Sequence, residues 1–231
     1  MIQSLENSKV KLLYKLKSAK YRRKEQLFVV EGAHLVDEAQ KAGVLVEAYS
    51  TIEREGYIGV SEAIMKKTCN TDTIVQEIGL CKMIQNQAMS KHILILDGIQ
   101  DPGNMGTLMR SACAFGFETI FIGEGSVDIY NDKVIRSSQG AIFKLNFLFG
   151  NPKEFIQSLK GYQIYGTNVI KGISLEQIEK EEYVAVVLGN EGNGISEEVF
   201  SIIDKNIYIP MKNTESLNVA IAGSIIMYWL R

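Results

Sequence analysis

NIYIPMKNTESLNVAIAGSIIMYW, residues 206–229, is the stretch that decides the fold of this chain. Residues 207–209 predict a short buried strand, and Pro210 prevents its continuation as a central strand. Thr214 or Ser216 can cap a helix that begins near Leu217. A loop is therefore expected between the last strand and the last helix.

The predicted C-terminal helix is apolar around most of its circumference, from Leu217 to Trp229. Such a helix needs cover on two sides, because no single polar face is available for water. Near its start lies Asn218, whose amide requires hydrogen-bond partners if it is buried. Ser216 and Asn218 are either simple capping residues or part of a site.

The composition of the chain is that of an ordinary globular protein: 231 residues, 46% hydrophobic and 23% charged. No basic start followed by an apolar run and no membrane-length apolar stretch is present, so a cytoplasmic protein is expected. Three cysteines and two histidines are scattered, which predicts neither disulfides nor a metal site.

The N-terminal segment is strongly basic. Residues 1–26 contain eight lysines and arginines against two glutamates, so they carry a net charge of +6 while the remainder carries −8. Helical spacing of apolar residues between Lys9 and Ala19 predicts an amphipathic helix with a basic outer face. That face is either a solvated lysine-rich surface or a phosphate-binding one.

Alternating predicted elements indicate an α/β chain in two domains. The polar segment 85–91 is the best linker, which divides the chain into residues 1–90 and 91–231. In the first domain we expect strands at 27–30 and 44–49 and helices at 34–42, 61–65 and 71–78. In the second we expect strands at 93–96, 119–122, 162–167, 184–188 and 207–209 and helices at 107–114, 152–160, 197–203 and from 217 onward.

Two loops of the second domain contain residues suited to a site. After the strand at 93–96, a turn is expected at Pro102-Gly103, and the following helix presents Arg110 about one turn in. The loop after 184–188 surrounds Glu191 with glycines, which allows its backbone to wrap a ligand. Ligands gather at the carboxyl ends of strands in such sheets, although neither loop has the Walker or G-x-G-x-x-G pattern. An ordinary surface arginine and a tight turn with an exposed glutamate are the alternatives.

Three segments at this spacing closely resemble the signature motifs of the SpoU (TrmH-type) RNA 2′-O-ribose methyltransferases of the SPOUT superfamily. They are DPGNMG with the arginine that follows (101–110), LGNEGNGIS (188–196), and IPM with SLNV (209–219). The resemblance spans about residues 93–231. Residues 3–85, with KYRRK at 20–24, look like the substrate-binding domain often fused in front. Asn190 stands where Ser or Ala is commoner, and Ala220 where Ser often follows.

The resemblance implies a small N-terminal α/β RNA-binding domain followed by an α/β domain whose C-terminal segment forms a trefoil knot. It further implies a homodimer with the active site at the interface, no metal, and ribosomal RNA as a more fitting substrate than transfer RNA, because an extra domain is present. The implied cofactor is S-adenosylmethionine, at Thr167, Leu188, Gly189, Ile209, Met211 and Leu217.

For catalysis, the resemblance places Arg110 at the ribose 2′-hydroxyl, either as a perturbed base or as a group that orients the hydroxyl while a phosphate relays the proton. The residues implied to fix Arg110 and the ribose are Asn104, Glu191, Ser216 and Asn218. The expected RNA contacts are Lys20, Arg22, Arg23, Lys24, Lys133 and Arg136. A non-catalytic knotted RNA-binding protein, and a methyltransferase acting on small molecules or proteins, are the rival interpretations.

Overall fold

The computed structural model describes residues 1–71, 73–84, 88–168 and 172–231. The chain forms two compact units. The first consists of residues 1–84 and 128–143, and the second of residues 85–127 and 144–231. The predicted linker at 85–91 coincides with the first passage between units, although residues 85–87 lie outside the described residues. The assignment of 128–143 to the first unit was not predicted.

The first unit is built around a mixed four-stranded sheet of order β1-β4-β2-β3. Its strands are β1 (Leu27–Glu31), β2 (Leu45–Ser50), β3 (Ile58–Gly59) and β4 (Glu77–Lys82). Its helices are α1 (Ser8–Lys15), α2 (Ala19–Glu25), α3 (Ala33–Lys41), α4 (Glu62–Thr68) and α6 (Asp132–Ser138). β4 pairs antiparallel with both β1 and β2, whereas β2 and β3 are parallel.

Two expectations for this unit were wrong in detail. The helix predicted at 71–78 is absent from the described part of that segment; its end, from Glu77, begins β4 instead. Since β4 is central, its backbone pairs on both sides, and this pairing outweighs the local helical spacing of Ile74, Val75 and Ile78. The single basic helix predicted at the N-terminus is two helices, α1 and α2, separated at residues 16–18.

The second unit is a seven-stranded, wholly parallel sheet of order β7-β6-β5-β10-β8-β11-β9. Its strands are β5 (His92–Asp97), β6 (Thr119–Gly123), β7 (Asn146–Gly150), β8 (Gln163–Thr167), β9 (Ile173–Ser174), β10 (Val184–Gly189) and β11 (Lys205–Tyr208). Its α-helices are α5 (Pro102–Phe115), α7 (Pro152–Ser158), α8 (Glu197–Phe200) and α9 (Val219–Leu230). The 3₁₀ turn Leu175–Gln177 also belongs to this unit, whereas the 3₁₀ turn Ala141–Lys144 includes the passage of the chain from the first unit to the second.

Helices cover both faces of the parallel sheet, which makes an α/β/α arrangement. On one face, Ile156 of α7 and Val199 of α8 join strand residues such as Ile95 in one apolar cluster. On the other face, α9 packs against both β10 and α5. There Gly223 is required, because a Cβ would come within 2.5 Å of Leu188 and 2.7 Å of Leu108. The predicted α/β fold of this domain is confirmed.

The C-terminal helix has one covered side and one exposed side in this chain. Its residues Gly223, Ile226 and Leu230 are buried, and Ile226 is only 2% exposed. An apolar stripe on the opposite side is exposed: Ile221 by 52%, Ile225 by 38%, Tyr228 by 52% and Trp229 by 39%. The sequence predicts two covers for this helix, and the chain itself supplies one of them.

Candidate active site

The carboxyl ends of four adjacent strands meet at one edge of the parallel sheet. Gly189 at the end of β10 is in register with Asp97 at the end of β5, and Thr167 ends β8. β11 ends at Tyr208, one residue before Ile209. The loops that follow β5, β10 and β11 are therefore brought to the same edge, where open α/β sheets bind their ligands.

A cavity of about 930 Å³ lies at this edge, within the second unit. All six residues predicted to bind a cofactor line it: Thr167, Leu188, Gly189, Ile209, Met211 and Leu217. Glu191, Ser216 and Asn218 line it as well, whereas Asn104 and Arg110 do not. Its size lies at the upper end of the range usual for small-molecule sites, about 300–1,000 Å³.

The glycine-rich loop after β10 is a tight backbone structure. Asn190 and Gly194 exchange two backbone hydrogen bonds of 2.9 Å. A Cβ on Gly189 would lie 2.0 Å from the Gly194 carbonyl carbon, so no other residue fits there. Asn190 Oδ1 accepts from the Gly192 amide at 2.9 Å, and Asn190 Nδ2 donates to the Gly98 carbonyl at 2.9 Å. The asparagine that departs from the family pattern thus ties this loop to the end of β5.

Asp97 is a further positioning residue that the sequence did not single out. Its Oδ2 accepts a hydrogen bond of 2.8 Å from the Ser196 amide, at the far end of the same loop. The loop is therefore fixed to the β5 end at both Asn190 and Ser196. The only indication of this role in the sequence is that an aspartate ends a predicted buried strand.

Glu191 is held by three donors from the segment that follows β5. It accepts from the Gln100 amide at 3.2 Å, the Asp101 amide at 3.0 Å and Asn104 Nδ2 at 3.1 Å. Partial burial raises the pKa of Glu191, but these hydrogen bonds outweigh that effect and hold the pKa below its ordinary value. The carboxylate is therefore fixed and ionised at neutral pH.

Asn104 connects Glu191 to the start of α9. Its Nδ2 donates to Glu191, and its Oδ1 accepts from Asn218 Nδ2 at 2.9 Å. Asn218 Oδ1 in turn accepts from the Ala220 amide at 2.9 Å, which makes Asn218 the cap of α9. Glu191, Asn104 and Asn218 form a hydrogen-bonded relay that joins three distant parts of the sequence.

One helix start in this region differs from the expected one, and the other matches only one of the expected alternatives. Among the capping candidates Thr214, Ser216 and Asn218, the cap of the last helix is Asn218, because its side chain reaches two backbone amides of the first turn. Pro102 and Gly103 form no separate turn. They begin α5, since Asp101 Oδ1 accepts from the Asn104 amide at 2.8 Å and proline suits the first helical position.

Arg110 lies exposed on α5, six residues after Asn104. Among the described residues, its guanidinium has no hydrogen bond or ion pair, so the structure does not join it to the relay. Ser216 is exposed at the rim of the cavity. Its carbonyl accepts from the Thr214 hydroxyl at 3.0 Å. The structure thus unites three of the five predicted catalytic residues and leaves Arg110 and Ser216 outside the relay.

The predicted RNA-contacting residues all belong to the first unit. Lys20, Arg23, Lys24 and Lys133 are exposed, and Arg136 forms an ion pair of 2.7 Å with Asp132 on its own helix. Arg22 is different, because its side chain is only 8% exposed. Its guanidinium donates to the Leu16 and Lys17 carbonyls and pairs with Asp128 at 2.6 Å. Arg22 therefore has a structural role, and the predicted RNA contact does not include it.

The model of the SpoU rRNA methylase family matches residues 91–228. The chain belongs to that family. The model of the MRM3-like substrate binding domain matches residues 7–78. The two matches together account for most of both units.

Known proteins resemble the chain over its whole length. It is 35% identical to the 23S rRNA (guanosine(2553)-2′-O)-methyltransferase RlmP of Bacillus subtilis over 100% of this chain and 98% of the relative. An AdoMet-bound rRNA methyltransferase from Sinorhizobium meliloti superposes with a TM-score of 0.87 at 25% identity, over 100% and 96% of the chains. A structure described as an RNA 2′-O ribose methyltransferase superposes with a TM-score of 0.83 at 27% identity, over 99% and 97%.

Family membership confirms the activity that the three motifs predicted. The protein is an RNA methyltransferase that uses S-adenosylmethionine and acts on a ribose 2′-hydroxyl. The cavity suits this cofactor. Apolar Leu188 and Leu217 suit the flat base, while backbone groups at the ends of β10 and β11 and the Thr167 hydroxyl offer polar contacts. No helix of the described residues has the length and apolar character needed to cross a membrane.

Proposed function

We propose that this enzyme methylates a ribose in ribosomal RNA, with the reaction organised by the Glu191–Asn104–Asn218 relay at the rim of the cavity. The observation that carries the ribosomal assignment is the match over both units to a relative named as a 23S rRNA methyltransferase. Transfer RNA is the alternative substrate.

The substrate assignment is tested by the products of methyl transfer. Ribosomal RNA and transfer RNA from cells lacking the gene are incubated separately with the protein and labelled S-adenosylmethionine. Each RNA is then digested to nucleosides. We expect labelled 2′-O-methylnucleoside from ribosomal RNA. Label that appears only in transfer RNA, or only in a methylated base, contradicts the proposal.

S-adenosylmethionine, when bound, supplies a methyl group on a sulfonium that needs only a well-placed nucleophile. The six lining residues named above would hold it. The protein's task is then to place a ribose hydroxyl, which is an effect of position and orientation. The fixed Glu191 carboxylate and the Asn218 amide lie at the rim for that purpose, and Asn104 holds the two in place.

Arg110 is proposed to contact the ribose hydroxyl or its phosphate once RNA is bound. An arginine side chain stays protonated in proteins, so it orients the hydroxyl and a neighbouring phosphate and does not remove the proton itself. Its exposure and its lack of a partner among the described residues leave its guanidinium available for that contact. The proton of the ribose hydroxyl is then relayed by an oxygen of that phosphate.

We also propose that the enzyme is a homodimer through the exposed side of α9. Ile221, Ile225, Tyr228 and Trp229 form a continuous apolar stripe at helical spacing, and water is a poor partner for such a surface. A second copy of the same stripe would cover it in a two-fold interface. Light scattering at micromolar concentration is expected to show twice the chain mass, and a monomer with full activity contradicts this.

The trefoil knot and the cytoplasmic location stay predictions.

A further inference from the structure

Half of the eight cations in the N-terminal segment are neutralised by carboxylates. The pairs are Lys9 with Glu47, Lys11 with Glu6 at 2.6 Å, Arg22 with Asp128 at 2.6 Å, and Lys24 with Glu25 at 3.8 Å. Within the described part of the chain, Lys15, Lys17, Lys20 and Arg23 have no such partner. The positive charge of the segment that is not paired with a carboxylate is therefore concentrated around the C-terminal end of α1 and the adjoining α2.

Tyr14 lies at the centre of this charge. It follows the buried Leu13 on α1, points to the outer side of the helix, and is 50% exposed. The Lys17 ammonium lies 5.6 Å from its ring centroid, and the Lys67 ammonium of α4 lies 5.4 Å from it. Lys17 is held in place because its Nζ also donates to the Cys69 carbonyl at 2.6 Å.

A second tyrosine–lysine pair adjoins the first. The Lys15 ammonium lies 5.7 Å from the centroid of the half-buried Tyr21 ring on α2. Lys15 is the sequence neighbour of Tyr14, and the two helices are joined by the short segment 16–18. Two aromatic rings, each beside lysine ammonium groups, thus lie on the consecutive helices α1 and α2.

Aromatic rings beside cations are the combination that single-stranded nucleic acids require: the ring stacks on a base, and the cations attract the backbone phosphates. We propose that Tyr14, flanked by Lys17 and Lys67, is a stacking site for an unpaired nucleotide of the RNA substrate. The inference rests on the proposed function and names the form of RNA that the first unit contacts.

An unpaired nucleotide fits better than a duplex for a steric reason. In an A-form helix the faces of the bases are covered by their neighbours, and proteins contact its minor groove and phosphates instead. A half-exposed tyrosine ring adds nothing to such contacts, whereas a loop or bulge can place an open base face on it. Lysines alone would bind the phosphates of either form of RNA, so the preference for an unpaired nucleotide comes from the Tyr14 ring.

The test compares the affinity of the full-length protein for two labelled RNAs by fluorescence anisotropy at one salt concentration. One probe is a mixed-sequence single strand of about 12 nucleotides, and the other is a blunt duplex of the same length. Tyr14→Ala is expected to weaken binding of the single strand by about 5- to 100-fold, the effect of losing one stacked base. Duplex binding should change less than about twofold, because no open base face is present.

Two control variants isolate the ring. Tyr14→Phe keeps the aromatic face and should bind the single strand like the wild type. Tyr183→Ala removes the ring of another exposed tyrosine–lysine pair, in the second unit, where Lys91 lies 5.6 Å from the ring centroid, and should leave single-strand binding unchanged. Lys67→Ala, measured on the single strand over a series of salt concentrations, should lower the slope of log affinity against log salt by about 0.7, the value for one phosphate contact on a single strand.

Wild-type methyl transfer to ribosomal RNA separates this inference from the proposed function. If the wild type methylates ribose and Tyr14→Ala binds the single strand as the wild type does, the stacking site is wrong and the proposed function stands. An equal loss on the single strand and the duplex also overturns it, since that result indicates a general phosphate contact. Circular dichroism melting of each variant confirms that the exposed substitutions leave the fold intact.

Discussion

Replacing Asn218 by aspartate separates its two roles, because the new side chain has the same shape and two oxygens. One oxygen can still accept from the Ala220 and Ile221 amides that Asn218 now caps. The other replaces the amide nitrogen that donates to Asn104 Oδ1 at 2.9 Å. Two acceptors then face each other. A flip of the Asn104 amide relieves that contact only by turning its oxygen toward Glu191, where it now donates.

The magnitude follows from the bond that must be lost. A hydrogen bond to a charged group is worth about 1.5–3 kcal/mol and a neutral one about 0.5–1.5 kcal/mol. Both hydrogen bonds of Asn104 are exposed to solvent, so we take the loss of one of them as about 1–2 kcal/mol. If this loss raises the barrier to methyl transfer by the same amount, the rate falls by about 5- to 30-fold. The free energy of unfolding should fall less than in Asn218→Ala, because aspartate keeps the helix cap and its charge suits the helix N-terminus, which offsets part of the lost bond.

Single-turnover methyl transfer and thermal denaturation measure the two effects separately. Asn218→Ala is the matched variant, since it loses the cap as well and should cost about 1 kcal/mol of stability. In acid, the rate of Asn218→Asp relative to wild type should recover, because a protonated carboxyl can again donate to Asn104. If Asn218→Asp turns over within twofold of wild type at neutral pH, the relay does not position the reacting groups.

Three further predictions concern other parts of the molecule. Arg110→Ala should bind S-adenosylmethionine nearly normally by calorimetry yet lose almost all single-turnover activity. Arg110→Lys should lose this activity as well. If Arg110→Ala turns over within about tenfold of wild type, a gap of about 1.4 kcal/mol in the barrier, the assigned role is excluded. Because the pKa of Glu191 is lowered in the folded protein, its stabilising contribution is present above the ordinary carboxyl pKa and is lost as pH falls through the lowered value. The melting temperatures of wild type and Glu191→Gln should therefore converge in acid, and a constant difference contradicts this. Ile225→Asp should give a folded monomer in light scattering, whereas Ile226→Asp should not fold, because only the latter side chain is buried within the chain.

Local sequence patterns predicted most strands and helices of the parallel sheet because its buried strands are continuous apolar runs. Val184 to Leu188 is an example: all five residues are fully buried, and the first four pair on both sides. The pattern failed at residues 71–78, where the spacing of Ile74, Val75 and Ile78 is helical. The deciding interactions there are distant in sequence, because Ile78 pairs with Glu31 of β1 on one side and with Tyr49 of β2 on the other.

The sequence predicted the parts of the site that the backbone forms. It predicted less well the side-chain contacts between residues that are distant in sequence. Motif resemblance located the residues that line the cavity, and glycines such as Gly189 indicated the close approach of backbone segments. The roles of Asn190 and Asp97 depend on partners 92 and 99 residues away, which no local pattern contains. Arg22 shows the reverse problem: it lies in the most basic run of the chain, yet its partner, Asp128, lies 106 residues later and removes it from the surface.

Residues 128–143 lie in the middle of the methyltransferase sequence but complete the first unit. The Tyr130 ring lies 4.7 Å from Phe28, and its hydroxyl accepts from the Ile84 amide at 3.0 Å. During synthesis on the ribosome, the N-terminal unit therefore lacks these contacts when its own first 84 residues have emerged. It gains them once the chain has been extended through residue 143, by which time β5, α5 and β6 are already available to pair. The two units are thus coupled in the order of their folding, and a fragment ending at residue 90 is expected to expose Phe28 and leave Arg22 without its carboxylate.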